Sequence, residues 1–210
     1  EIEKEKFVYI GNHSHSHEYL INYNFSDFKK DIDKSIEIFE NKLGYNPIFF
    51  SYPFGEYSLE QKKYITKKFK FAFGQHSGVI DINKDKYELP RFPINEKYGE
   101  LKRFKFIIKT LPLPYKSIYP ENRYINEENN PPKVRVIFFD NLINLKNINC
   151  YSNEGNVWKK SEIKFTKKNE LSIFLKEKFK SERGRINCSL LENDGKWRWL
   201  GIQYVIAKYQ

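Results

Sequence analysis

The sequence of 210 residues predicts an α/β unit followed by a small antiparallel β-sandwich. Three observations carry that expectation. Strand and helix patterns alternate between Phe7 and Gly74, a Pro-, Asn- and Glu-rich stretch runs from Tyr115 to Pro132, and beyond it the apolar residues switch to period two. Strand–helix–strand succession implies parallel pairing, because a crossover is needed to return the chain in the same direction. The expected organisation is an α/β domain over 1–115, a linker over 116–131 that buries little, and a β-sandwich over 132–210.

Phe7-Val8-Tyr9-Ile10 is β-branched and aromatic and runs into Gly11-Asn12, the pattern of a buried strand that delivers the chain into a loop. From Ser26 the residues Phe28, Ile32, Ile36, Phe39 and Leu43 recur at helical spacing, with Ser26 as N-cap, Asp27 in the first turn and Gly44 as the stop. Pro47 opens the strand Ile48–Tyr52, and Pro53 ends it at a Phe54-Gly55 turn. Ser58 and Gln61 have capping-box spacing for a helix running to about Phe69, after which Phe71-Ala72-Phe73 reads as a third strand. Leu101, Phe104, Ile107, Ile108 and Leu111 predict one more helix, broken by Pro112 and Pro114. Short strands are expected at Val134–Phe138, Ile163–Phe165, Leu171–Leu175, Gly184–Leu190 and Trp197–Ile206, with Asn193-Asp194-Gly195-Lys196 as a hairpin turn.

Composition excludes several classes. With 40% hydrophobic, 17% aromatic and 30% charged residues the chain can bury a core, which fibrous and unstructured sequences cannot. The apolar runs fall far short of the ~20 residues of a membrane span, so no transmembrane segment is expected. The net charge of +10 is spread along the chain rather than gathered in one stripe, and nucleic acid is not an expected partner. The sequence starts at Glu1 without an initiator Met, so the natural N-terminus is expected upstream. Two cysteines make no disulfide framework; Cys150 and Cys188 could pair across neighbouring strands or remain buried thiols. The compartment stays open between cytoplasm and cell envelope.

Three of the four histidines fall in Gly11-Asn12-His13-Ser14-His15-Ser16-His17. His13 and His17, four apart, share one side of a helical turn and can hold a single ion between them, whereas His15 faces away. A solvated His-rich loop is the competing reading of the spacing alone. In its context the segment resembles the polysaccharide deacetylase family of NodB-homology carbohydrate esterases. The family's His-[Ser/Thr]-x-x-His signature is matched by His13–His17, and its Pro-Tyr-Gly-type turn by Tyr52-Pro53-Phe54-Gly55, one helix later. Phe73–Gly78 and Leu89-Pro90-Arg91 are similar to segments of a subgroup of these enzymes, so the resemblance covers roughly 1–115.

The resemblance implies part of a distorted (β/α) barrel and metal-assisted removal of acetyl groups from N-acetylated sugars of a poly- or oligosaccharide. A non-catalytic carbohydrate-binding or envelope protein on the same scaffold is the alternative. It implies His13 and His17 as ligands of a divalent ion, most often zinc, with a backbone N–H at Phe54 as oxyanion donor. Tyr52 and Phe54 are the implied sugar-contacting aromatics, although aromatics at strand ends are commonly core. The family's Thr-Phe-Asp-Asp block, source of the third ligand and the general base, does not occur here and is expected upstream of Glu1. The usual late His block is missing too, which leaves His76 either as general acid or as a hydrogen-bonded loop residue. Arg91 would brace the base in place of the motif Arg that Phe50-Ser51-Tyr52 lacks, or is a plain surface cation. In the second domain Trp158, Trp197 and Trp199 could stack on sugar rings; Trp197 and Trp199 point to one face of a strand, which is either a binding platform or the core.

Overall fold

The computed structural model describes residues 2–139 and 144–206. The chain forms two compact units, Glu1–Gln75 with Ile82–Leu89, and His76–Asp81 with Pro90–Gln210.

The first unit is α/β. Helix α1 (Phe25–Leu43) turns Phe28, Ile32 and Ile36 inward, the i, i+4 spacing that places residues on one face. Its N-cap is Asn24 rather than Ser26: the Asn24 side chain accepts from the Asp27 N–H, so the helix begins two residues early. Gly44 ends it in a left-handed conformation, as expected. Strand β1 (Phe49–Ser51) pairs in parallel with β2 (Phe71–Phe73), and α2 (Leu59–Ile65) is the crossover between them. The capping box at Ser58 and Gln61 is fully made, and Gln61 also donates to the Leu20 carbonyl. Single parallel bridges extend the sheet on both sides, Asn12 to Phe50 and Leu89 to Phe73. The sheet does not close, and no closed barrel exists among the described residues.

Phe7–Ile10 is not a strand. Only Asn12 reaches β1, through its N–H to the Phe49 carbonyl and its carbonyl from the Ser51 N–H, while Phe7 and Tyr9 are 85% and 78% exposed. A run of β-formers is a strand only where a ladder satisfies its backbone, and Phe7–Ile10 has none among the described residues.

In the second unit, α3 (Leu101–Ile107) precedes two antiparallel-rich sheets. One holds β4 (Ser117–Tyr119), β6 (Val134–Ile137), β10 (Glu170–Phe174) and β9 (Glu162–Lys167) in that order. The other runs β3 (Leu111–Pro112), β12 (Trp197–Ile206), β11 (Arg183–Leu191), β7 (Asn149–Ser152), β8 (Lys159–Lys160), with β5 (Tyr124–Ile125) also on β12. Inward residues of both sheets, among them Val136, Leu171, Ile186 and Leu190, form one apolar cluster. The β11–β12 turn follows the Asp-Gly expectation, with Gly195 at φ 82°. Cys150 lies directly opposite Cys188 in the β7–β11 register, and the two form a disulfide.

The stretch 116–131 is not a linker that buries little. It carries β4 and β5 and sends Ile118 and Ile125 into the cluster, because its Pro and Asn residues punctuate rather than abolish the short apolar runs. The segment from Pro90 onward likewise belongs to the second unit. Among the described residues no helix is long and apolar enough to cross a membrane.

Candidate functional site

The histidine turn leaves the sheet at Asn12 and is held against α1 by side chains that take up its backbone donors. Asn12 is buried; its amide donates to Ser35 Oγ at 2.9 Å, and Ser35 in turn donates to the Ile32 carbonyl. Asn12 Oδ1 accepts from the Ser14 N–H at 3.0 Å, which sets the turn's first bend. Asp31, one helical turn before Ser35, accepts from two consecutive N–H groups, His15 at 2.9 Å and Ser16 at 3.0 Å. Ser14 Oγ accepts from the His17 N–H at 3.0 Å, so the motif's small hydroxyl residue closes the turn on itself.

This scaffold puts His13 and His17 side by side. Their ring centroids are 4.7 Å apart at 76°. His13 Nδ1 lies 2.7 Å from the Ser51 carbonyl at the end of β1. A carbonyl only accepts, so Nδ1 carries the proton and Nε2 presents a lone pair. Both residues are exposed, as is His15.

The second motif closes over the first. Phe54 sits 5.0 Å from the His17 ring and stacks on Tyr19 at 3.9 Å, nearly parallel. The Pro53-Phe54-Gly55 turn holds Phe54 at φ 58° and Gly55 at φ 70°. A Cβ at Gly55 would stand 2.3 Å from the Gln75 backbone nitrogen, so only glycine lets the turn approach β2's exit this closely. Of the four non-glycine residues with left-handed φ among the described residues, Ser14, His17 and Phe54 all belong here. Such conformations cost of order 1–3 kcal/mol each and collect where a site fixes its side chains.

Tyr52 has a different place from the one the resemblance implies. It is 1% exposed, packs edge-on against Phe50 at 5.2 Å and against Tyr57 at 4.5 Å, and lies in the core of the unit. Burial, with the nearby charges of Asp85 and Glu88, pushes its hydroxyl well above the ordinary tyrosine range. It cannot touch a sugar; the half-buried aromatic surface beside the histidines belongs to Phe54 and Tyr19, and Tyr19 had no motif to mark it. Behind Tyr52, the Tyr57 hydroxyl donates to Glu88 at 2.8 Å, and Lys62 bridges Glu88 and Asp85 at 3.2 and 2.7 Å.

His76 and Arg91 belong to the second unit, where the Arg91 N–H donates to the His76 carbonyl at 3.1 Å. Among the described residues no group of three His, Cys, Asp or Glu side chains is placed to hold a metal ion. Trp197 is exposed and Trp199 partly buried, both on the sheet face opposite the apolar cluster.

Residues 1–73 match the family model described as polysaccharide deacetylase, a stretch that contains the histidine turn, Asp31, Ser35 and the Pro53-Phe54-Gly55 turn. No curated protein and no solved structure matches the chain.

Proposed function

We propose, for a chain whose residues 1–73 match the polysaccharide deacetylase family model, that the protein is a hydrolase removing acetyl groups from N-acetylated sugars, with His13 and His17 holding a divalent ion, most readily zinc. The bond from His13 Nδ1 to the Ser51 carbonyl carries the reading. It fixes one tautomer and one ring orientation, as an outer hydrogen bond does for a metal-ligating imidazole. His17, edge-on beside it, supplies a second ring nitrogen, and a paired-imidazole donor set suits zinc. Bound there, the ion would acidify a water and polarise the acyl carbonyl.

The chain's own residues would position the substrate. The Phe54–Tyr19 stack offers an apolar surface against which a pyranose ring can lie, next to the histidines. The backbone N–H of Phe54 is the proposed oxyanion donor, a contribution of ~3–4 kcal/mol to the barrier when the donor is fixed in advance. The parallel strand–helix–strand order supports reading the first unit as part of a distorted (β/α) barrel, and the shared core of the two sheets supports reading the second as a β-sandwich.

The test is metal content and acetate release on the full chain. Zinc-loaded protein is expected to retain about one ion after dialysis and to release acetate from N-acetylglucosamine oligomers, with both lost in His13→Ala and His17→Ala. Retention of the ion by the double variant would remove these residues from the site. A second reading, a carbohydrate-binding protein without catalysis, is favoured by Phe50-Ser51-Tyr52, where the family's motif Arg has no counterpart, and by His76 being the one histidine outside the turn. It predicts ion and sugar binding with no acetate released.

A further inference from the structure

The outer face of the larger sheet in the second unit carries a groove of about 570 Å³ that takes no part in the histidine site. Its lining comes from four adjacent strands in register. Trp197 on β12 pairs with Leu191 on β11, Asn149 on β7 pairs with Ser189, and Lys160 on β8 pairs with Tyr151. Residues two apart share a face, so Trp197, Leu191, Asn149 and Lys160 all point to the same side. The intervening residues Leu190, Cys188 and Cys150 point the other way into the apolar cluster. Lys146 and Asn147 complete the groove from the loop before β7.

The chemistry of this lining is specific. The Trp197 indole is 37% exposed, and Phe106 meets it edge-on at 6.0 Å, which steadies the ring while leaving indole surface open. Lys146 and Lys160 are exposed and, among the described residues, form no ion pair and share the groove with no carboxylate. Asn147 and Asn149 bring amides able both to donate and to accept. An aromatic platform takes the apolar face of a pyranose, amides take its hydroxyls, and two unneutralised ammonium groups select a negative charge.

We propose that this groove is a binding site for an acidic glycan, a saccharide chain bearing carboxylate groups. It stands independently of the histidine site. A single indole among amides fits a sugar better than a nucleic-acid strand, which is held by successive aromatic platforms along a basic track.

The experiment is affinity electrophoresis and calorimetry of the full chain with oligogalacturonate, with neutral cello-oligosaccharide and a single-stranded oligonucleotide as comparisons. Oligogalacturonate is expected to bind, weakening as salt rises, and the neutral oligomer to bind at least tenfold more weakly. Trp197→Ala and the double variant Lys146→Gln/Lys160→Gln are each expected to lose about tenfold, equivalent to ~1.4 kcal/mol. The lysine pair is solvent-exposed, so the double variant reports even if the tryptophan change perturbs folding. His13→Ala/His17→Ala is expected to bind as the unaltered chain does, whatever its acetate release. Unchanged affinity in the lysine variant, loss of binding in the histidine variant, or preference for the oligonucleotide would each overturn the assignment.

Discussion

Asp31 does at the scale of one carboxylate what a loop of this kind needs most. It takes two consecutive backbone N–H groups from the middle of the turn that joins His13 to His17, and it projects from a helix rather than from another loop. Removing it leaves His15 and Ser16 to water and frees the turn to relax the left-handed φ of Ser14 and His17. Asp31→Ala is therefore expected to raise the zinc dissociation constant ~10–100-fold while barely moving the thermal midpoint. Calorimetric zinc titration beside a melting curve checks this; unaltered zinc affinity would mean that the turn holds its shape without the carboxylate. Nothing in the order of residues announces Asp31, because the pairing spans 15 and 16 positions. His13 and His17 were legible for the opposite reason, being close in sequence as well as in space. Tyr52 shows the limit of motif reasoning: its position in the turn block is right, yet a strand alternates its faces, and Tyr52 falls on the inward one beside Phe50.

At the scale of elements, α2 rests on its capping box. Ser58→Ala removes the acceptor for the Gln61 N–H and is expected to cost ~1 kcal/mol, read as a lower urea midpoint with an unchanged slope. A midpoint equal to that of the unaltered chain would show that Gln61, anchored to the Leu20 carbonyl, holds the helix start unaided. The helices and the long strands β11 and β12 were legible because each carries its own period, and β1 and β2, three residues each, because Pro47, Pro53 and Gly74 punctuate their apolar runs. The short strands β3, β4, β5, β7 and β8 were not. They are two to four residues long, too brief for alternation to register, and they exist because a longer neighbour offers hydrogen bonds, as β12 does for β3 and β5. Phe7–Ile10 is the converse, a strand-like run with no such neighbour among the described residues.

At the scale of the whole molecule, both units bury groups that resist losing a proton. Burial and the charges of Asp85 and Glu88 hold Tyr52 well above its ordinary value, and burial pushes Tyr204 up to about 12 despite the opposing Arg123. Burial would lower Lys62, but Glu88 and Asp85 outweigh it and raise it. Each of these groups holds its proton more tightly folded than unfolded, so the stability they contribute is whole below pH ~10 and drains away as pH rises through the folded values. The melting temperature is expected to fall steadily from pH ~10 to ~12, and the share of the phenolate absorbance that Tyr52→Phe and Tyr204→Phe remove is expected to rise together with unfolding rather than before it. Free ionisation of these tyrosines in the folded chain would contradict their placement.

The cystine between β7 and β11 also acts as a phase marker. Tying Cys150 to Cys188 fixes which residues of each strand are even and which are odd, and therefore which meet water. Adding or removing one residue within β11 between Cys188 and Leu191 would invert that parity locally and turn Leu191, a groove side chain, toward the oily side. Length variation should therefore be rejected within β11 beside the cystine.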